Sequence, residues 1–390
     1  MKFTDRHKLM LFKYVIRYLL LVSLFTLFGC SNDKVNQPTT LENMHSTINI
    51  ERVWKSAVGE GDEALQLQLS PVIVDDVIYT LDVDGELYAL NRASGERVWM
   101  LATEEKVSGG LGADHSRLFY ATFQGEIVCL DRHNGHEIWR HPLTSEAISA
   151  PASNGRTVVV QTIDGKLFAF DAANGIKRWR YDSVGPILSL RGTPTPLINT
   201  DYTMTSFANG EMLAFDNQTG RPAWKAAIGQ PQGRTELERL VDPDGRATIA
   251  EDRVYAVAYQ GKLMSLNAAT GLPVWSKSLS SFNGVALGFS QVYVSTSDGE
   301  VVAVKATNSN EVWRNEKLKY RRLSTPVTFG NVLVVADFEG YLHFMSQVDG
   351  TFVARKRPDR DGVMGEMLVA DDTLYVYTRS GYLVAYRIAD

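Results

Sequence analysis

The segment GELYALNRASGERVW, from Gly85 to Trp99, contains the pattern from which the fold can be predicted. Its first half alternates apolar side chains around a small residue, Ala89, as a β-strand does. A polar turn closed by Gly95 follows, and the next strand carries the tryptophan. Glycine suits the positive φ angle of such a turn, and the Asn or Asp at its start can bond to its own backbone. The segment therefore predicts two antiparallel strands joined by a tight turn.

This pattern recurs along the chain at a period near forty residues. The glycines that open each copy are Gly85, Gly125, Gly165, Gly210, Gly261, Gly299, Gly340 and Gly381. Six of them precede a tryptophan by fourteen residues, and the seventh copy has Ala354 in its place. Two further β-rich runs precede each glycine. Four short strands per copy, with no helical period, predict an all-β fold: an eight-bladed β-propeller of four-stranded antiparallel blades.

The two ends of the repeat do not match, and the mismatch indicates how the ring closes. Trp54 has no glycine before it, and the copy at Gly381 lacks a tryptophan strand after it. We therefore predict that the N-terminal strand around Trp54 completes the last blade, so that the propeller spans residues 49–390. Closure also covers a sheet edge that another chain could otherwise pair with.

The N-terminus has the features of an export signal. Basic residues precede an apolar run from Tyr18 to Phe28 that is short for a membrane-spanning helix. The sequence LFGC (27–30) resembles the bacterial lipobox, which implies a lipoprotein signal peptide over residues 1–29, lipidation of Cys30 and, because Ser31 follows, sorting to the outer membrane. The polar residues 30–48 predict a lipidated flexible tether. The alternative is an ordinary exported protein cut elsewhere.

Charge and composition exclude several functions. Without residues 1–29 the chain has 35 basic and 44 acidic residues, a formal charge of −9. A negative chain without basic clusters argues against nucleic-acid binding and against adhesion to anionic lipid by charge alone. Cys129 takes the small-residue position of its blade and is predicted to be buried and inert. His133, His136 and His141 fall in and after a turn, which favours an exposed polar turn over a metal site. We predict no catalytic residue, metal or cofactor.

The repeat also suggests an enzyme. Its pattern A-x-(D/N)-x-x-(T/S/N)-G-x-x-x-W resembles that of the pyrroloquinoline-quinone dehydrogenases, which are eight-bladed too. This resemblance implies a periplasmic alcohol or sugar oxidoreductase as the alternative function. Those enzymes carry insertions that build a cofactor chamber, and many have a vicinal disulfide. This chain has no Cys-Cys pair and little length beyond eight blades, so we predict that it is not an enzyme.

Three intervals between a tryptophan and the next glycine are longer than the usual 24 to 27 residues. They have 31 residues before Gly85, 31 before Gly210 and 37 before Gly261, and the last two belong to consecutive blades. Apolar, arginine and carboxylate side chains in these two intervals predict a partner-binding patch, whose members are Leu188, Leu190, Arg191, Asp242 and Asp244. Alternatively, the leucines are core residues and Arg191 pairs internally with Asp242 or Asp244.

The motifs SLRG (189–192) and TELERLxDxD (235–244), behind a lipobox, resemble the BamB family of outer-membrane assembly lipoproteins over essentially the whole chain. The resemblance implies a periplasm-facing accessory subunit of the machine that inserts β-barrel proteins into the outer membrane. It further implies that the five patch residues dock on a periplasmic POTRA domain of the barrel-forming insertase, and that unfolded barrel precursors are clients. A generic periplasmic propeller that binds another protein or a glycan remains the second alternative.

Overall fold

The computed structural model describes residues 36–61, 67, 69–184, 192–229 and 245–389. The chain divides into two compact units, Met1–Gln37 and Pro38–Asp390. The described residues form thirty-two β-strands and no helix. Within these ranges, accordingly, there is no helix capable of crossing a membrane.

The strands build eight four-stranded antiparallel sheets, which we number as blades. The N-terminal strand is β1 (Ile50–Ala57). Blade 1 contains β2 (Val72–Val74), β3 (Val77–Leu81), β4 (Glu86–Asn91) and β5 (Arg97–Ala102), and blade 2 contains β6 (Gly112–Ala113), β7 (Arg117–Ala121), β8 (Glu126–Asp131) and β9 (Glu137–Pro142). Blade 3 contains β10 (Ala152–Ser153), β11 (Thr157–Gln161), β12 (Lys166–Asp171) and β13 (Lys177–Asp182), and blade 4 contains β14 (Leu197–Ile198), β15 (Tyr202–Ser206), β16 (Glu211–Asp216) and β17 (Pro222–Ala227).

Blade 5 contains β18 (Thr248–Ala250), β19 (Arg253–Val257), β20 (Lys262–Asn267) and β21 (Pro273–Ser278), and blade 6 contains β22 (Val285–Gly288), β23 (Gln291–Ser295), β24 (Val301–Lys305) and β25 (Glu311–Asn315). Blade 7 contains β26 (Val327–Phe329), β27 (Val332–Ala336), β28 (Leu342–Ser346) and β29 (Phe352–Lys356). Blade 8 contains β30 (Leu368–Ala370), β31 (Thr373–Tyr377) and β32 (Tyr382–Ile388), with β1 as its fourth strand.

Ring closure follows the prediction. Strand β1 pairs antiparallel with β32, and Trp54 lies opposite Ala385. The first strand of each blade is short and faces a central channel, where first strands of neighbouring blades contact one another. The fourth strand forms the rim, and its side chains alternate between exposed and buried. The predicted eight-bladed, four-stranded architecture is therefore confirmed.

The tryptophans join each blade to the next one. Within a blade the tryptophan lies opposite the small residue of the third strand, as Trp139 does opposite Cys129. Its indole N–H donates to a backbone carbonyl of the following blade, from Trp139 Nε1 to Ala172 O at 3.1 Å. The ring also packs against the turn glycine of that blade, where Gly175 has a φ of 71° and a Cβ would lie 2.7 Å from Trp139. The repeat thus encodes packing between blades, not only within them.

Blade 7 reverses this size pattern. Its tryptophan position holds Ala354, and the residue opposite is Phe344 instead of a small side chain. Both are fully buried, in one cluster with Ile48 and Ile50. The following blade has no turn between its third and fourth strands, because β32 is completed by β1 from the other end of the chain. A tryptophan here would have no turn glycine to pack against, so the bulk comes from Phe344.

The segment before β1 differs from the predicted tether. Residues 38–48 lie along blades 6 and 7, and we call them the strap. The N–H of Thr39 donates to Lys319 O at 3.0 Å, and that of Thr47 donates to Val353 O at 2.8 Å. Leu41 packs against the core of blades 6 and 7. The polar composition of the strap did not predict that it binds to the ring. Backbone hydrogen bonds hold the strap, and such bonds require no apolar period in the sequence.

Candidate functional site

The predicted partner-binding residues lie outside the described part of the chain. Leu188, Leu190 and Arg191 belong to the segment 185–191, between β13 and β14. Asp242 and Asp244 belong to the segment 230–244, between β17 and β18. Cys30 lies outside the described residues as well. The patch and the lipidation site therefore stay predictions, and the structure bears on them through the residues at the ends of these segments.

These ends lie on one face of the ring. We call it the connection face, because it carries the connections from the fourth strand of one blade to the first strand of the next. The turns between second and third strands lie on the same face, as the bond from Ile163 N to Glu146 O shows. Before the first segment, Ser183 N donates to Gly165 O at 2.9 Å, and before the second, Ile228 N donates to Gly210 O at 2.9 Å. Both segments therefore begin on the connection face, in blades 3 and 4.

The channel contains a cavity of about 880 Å³, lined in part by the residues that follow these segments. Gly192 and Thr193, which follow the first segment, line it, and so does Arg246, which follows the second. Opposite them lies Glu366 from the connection into blade 8. Burial raises the pKa of the Glu366 carboxyl, and the positive charge of Arg246 opposes this shift. The charged side chains of the described lining are therefore Arg246 and the two carboxylates Glu146 and Glu366.

The lining of the cavity does not suit a quinone with calcium. Calcium in proteins takes six to eight oxygen ligands, several of them from carboxylates. The two carboxylates of the described lining are Glu146, from the connection into blade 3, and Glu366, from the connection into blade 8. Among the described residues no three His, Cys, Asp or Glu side chains are placed to hold a metal ion. The donor set therefore gives no support to the dehydrogenase alternative.

The structure contains an aromatic pair that was not predicted from the sequence. Tyr259 and Phe282 stack with ring centroids 4.0 Å apart on the connection face between blades 5 and 6. Phe282 is 38% exposed. Its neighbour Asn283 touches Gly245, where an added Cβ would lie 2.4 Å from the Asn283 carbonyl carbon. The pair is thus continuous with the end of the segment that holds Asp242 and Asp244. Its only signal in the sequence was Tyr259 at the turn position two residues before Gly261.

Blade 7 has a buried charged network beneath the strap. Asp337 accepts hydrogen bonds from Arg321 Nε at 2.8 Å and from His343 Nε2 at 2.9 Å. Arg355 Nε donates to His343 Nδ1 at 3.2 Å, which identifies the ring as neutral. Burial lowers the pKa of His343, although Asp337 opposes the shift. Both arginines also link the network to the strap: Arg321 Nη1 donates to Thr39 O at 3.0 Å, and Arg355 Nη1 donates to Glu42 O at 2.9 Å.

The remaining candidate residues have structural surroundings. Cys129 is fully buried, as predicted, and burial raises the pKa of its thiol to about 12. His133 and His136 are exposed in the turn of blade 2, while the His141 ring packs on Phe170 at 4.8 Å.

The chain is therefore an eight-bladed β-propeller whose connection face carries two long segments, between β13 and β14 and between β17 and β18. Solved structures share this architecture. The crystal structure of BamB from Moraxella catarrhalis matches with a TM-score of 0.80 at 26% identity, over 87% of this chain and all (100%) of that one. A quinohemoprotein alcohol dehydrogenase from Comamonas testosteroni matches with a TM-score of 0.69 at 13% identity, over 87% and 76% of the two chains. The second likeness shows the fold alone.

Sequence comparison gives the family. A family model described as "Outer membrane protein assembly factor BamB" matches residues 83–315. A protein of that name from Pseudomonas aeruginosa is 46% identical over 95% of this chain and 98% of its own length. Another from Salmonella typhimurium is 32% identical over 94% and 97%. The chain belongs to the BamB family.

Proposed function

We propose that the chain is an outer membrane protein assembly factor, acting as a non-catalytic subunit of the machinery that inserts β-barrel proteins. The relatives are named for this role, and they match nearly the whole chain. Cys30 anchors the protein in the outer membrane by its acyl chains, and the ring faces the periplasm. Anchoring of this kind is durable because several acyl chains act together.

The docking surface is the connection face at blades 3 to 5. The observation that carries this assignment is the position of the two long segments: they begin in consecutive blades and end at the same cavity. Leu188 and Leu190 supply the apolar centre, Arg191 the anchor, and Asp242 and Asp244 the polar rim. This composition is typical of binding hot spots, in which arginine is enriched. The partner is a periplasmic POTRA domain of the barrel-forming subunit.

The aromatic pair Tyr259–Phe282 supports a docking role for this face. Aromatic side chains bring a large contact area with few rotatable bonds, so they are enriched in interface cores. The pair adds an apolar area to this surface, next to Gly245 at the end of the second segment. Unfolded barrel precursors are the proposed clients of the assembled machine, and the ring assists by holding the insertase subunit.

Capture of the partner from membranes tests the proposal. The tagged, lipidated protein is purified from detergent-solubilised membranes, and its companions are identified by mass spectrometry. We expect the barrel-forming insertase to be recovered with the unaltered protein and with Arg156→Ala, an exposed arginine on the opposite face of blade 3. Arg191→Ala should reduce the recovery strongly. Equal recovery with both variants would refute the docking site, and absence of the insertase from every sample would refute the function.

A further inference from the structure

Three exposed arginines surround one turn of blade 7. The turn Phe338–Gly340 lies between two inter-blade connections: Phe338 N donates to Arg321 O at 3.1 Å, and Arg357 Nε donates to Glu339 O at 2.9 Å. Gly340 packs against the backbone of Asp359. These contacts place Arg322, Arg357 and Arg360 around the same turn, and all three are exposed. We call them the blade-7 arginines.

The blade-7 arginines have no carboxylate partner among the described residues, unlike other cations near this face. Arg140 pairs with Glu105, Glu126 and Glu137 at 2.7 to 2.9 Å. Around the blade-7 turn, Glu339 is paired with Arg321, and Asp359 accepts a hydrogen bond from Ser380 N. Asp361 is an exposed carboxylate in this region. The turn therefore presents a net positive charge on a chain that is negative overall.

This corrects the expectation that the chain has no basic cluster. The three arginines come from two connections separated by the whole of blade 7, so composition and charge runs give little sign of them. Phe338 lies among them and is 43% exposed. An exposed aromatic ring within a group of arginines is typical of surfaces that meet lipid headgroups, where an apolar side chain enters the interface and cations meet phosphates.

The strap begins at the same place. Thr39 is held between Lys319 and Arg321, next to Arg322 in the chain. Pro38 is the first residue of the second compact unit, Pro38–Asp390. The eight residue steps from Cys30 to Pro38 span at most about 30 Å when fully extended. If Cys30 is acylated, the membrane surface is therefore within reach of the blade-7 arginines.

We propose that the blade-7 arginines and Phe338 form a membrane-contact surface that binds the phosphate headgroups of anionic phospholipid. The guanidinium group presents a planar fork of donors that matches phosphate geometry. A basic residue close to an anionic membrane strengthens binding about fivefold. The closeness of this surface to the membrane rests on the proposed anchoring at Cys30, whereas its positive charge does not depend on that anchoring. Because blades 3 to 5 lie elsewhere on the ring, lipid contact leaves the proposed docking surface uncovered.

Vesicle co-sedimentation tests this surface without the lipid anchor. The chain from Ser31 onward includes the whole second compact unit, Pro38–Asp390. It is expressed with a cleavable secretory signal peptide in place of the lipoprotein signal. It is mixed at low ionic strength with phosphatidylcholine vesicles that contain or lack phosphatidylglycerol. We expect binding to the anionic vesicles only. The variant R322Q/R357Q/R360Q should bind them about a hundredfold more weakly, since three basic contacts are lost.

A matched variant controls for net charge. R156Q/K177Q/R221Q removes the same charge from exposed positions of blades 3 and 4, and it should bind like the unaltered chain. Equal loss in both triple variants, or no loss in either, would overturn the proposal, as would equal binding to both vesicles. Unchanged urea unfolding of the variants verifies their folds. Failure to capture the insertase would count against the proposed function and leave this surface standing, because the vesicles contain no protein partner.

Discussion

Phe344 and Ala354 face each other across the third and fourth strands of blade 7, in the reverse order of the small-residue and tryptophan pairs. In blade 6 the equivalent residues are Ala303 and Trp313, and Trp313 Nε1 donates to Gln347 O of blade 7 at 2.9 Å. The reversal occurs where the following blade is closed by β1 and has no turn to receive an indole. Position in the ring, as well as the blade itself, therefore decides which side chain is large.

Exchanging the two side chains of blade 7 tests this explanation. Phe344→Ala should destabilise the ring by about 3–5 kcal/mol, because it leaves a large cavity in a buried cluster. The double variant F344A/A354W restores the volume within the blade but gives its tryptophan no turn glycine to pack against. We expect it to recover only part of the loss, as measured by urea unfolding. A double variant as stable as the unaltered chain would show that the reversal has no connection with closure.

The turn glycines provide a second test, with a control in the same blade. Gly175 and Gly155 both have positive φ angles, 71° and 84°. A Cβ at Gly175 would collide with Trp139, whereas one at Gly155 would have nothing within 4 Å. Gly155→Ala should cost about 1–2 kcal/mol for backbone strain. Gly175→Ala should cost about 1–3 kcal/mol more through overpacking. Equal unfolding midpoints for the two variants would mean that tryptophan packing is not tight.

The buried network of blade 7 predicts a loss of stability in acid. Burial lowers the pKa of His343 below its ordinary 6.5, so the unfolded chain binds a proton that the folded chain does not. Its contribution to stability is therefore complete above about pH 6.5 and decreases as the pH falls below that value. Burial would raise the pKa of Asp337, but its bonds with His343 and Arg321 lower it, which adds acid sensitivity at still lower pH.

The measurement compares urea unfolding at neutral and mildly acidic pH. We expect His343→Gln to be less stable than the unaltered chain at neutral pH, because its Asp337 and Arg355 partners are no longer matched. Its midpoint should also change less between the two pH values. His133→Gln, in the exposed turn of blade 2, serves as the control and should keep the full pH dependence. If His343→Gln retains that dependence, the network is not its source.

The strap gives a prediction for hydrogen exchange. The amides of Thr39 and Thr47 donate to Lys319 and Val353, so both should exchange slowly. Arg321→Ala should accelerate exchange at Thr39 more than at Thr47, since the Arg321 bond to Thr39 O lies at that end of the strap. Fast exchange at both amides in the unaltered chain would instead indicate a flexible tether through residue 48.

Most features that the sequence predicts are formed by residues close to one another in the chain. Strands and turns were predictable because the repeat encodes each of them within a few residues, as Gly95 and Trp99 illustrate. Closure was predictable because the repeat is incomplete at both ends, and Trp54 supplies the strand that the Gly381 copy lacks. The strap was not, because Thr39 and Glu42 are held by Arg321 and Arg355, about three hundred residues away. The blade-7 arginines could not be predicted either, because Arg322 is separated from Arg357 and Arg360 in the sequence by the whole of blade 7. The predicted partner-binding residues lie in segments that interrupt the repeat, so the period locates these segments without predicting their conformation.

The affinity of the chain for the insertase subunit is the decisive test of the proposed docking surface. The dissociation constant of the chain from Ser31 onward is measured against purified periplasmic domains of the barrel-forming subunit, for the unaltered sequence, Arg191→Ala and Arg156→Ala. Truncating a hot-spot arginine costs about 2 kcal/mol or more, so we expect a complex at least about thirtyfold weaker for Arg191→Ala and no change for Arg156→Ala. Equal affinities for all three proteins would contradict this expectation.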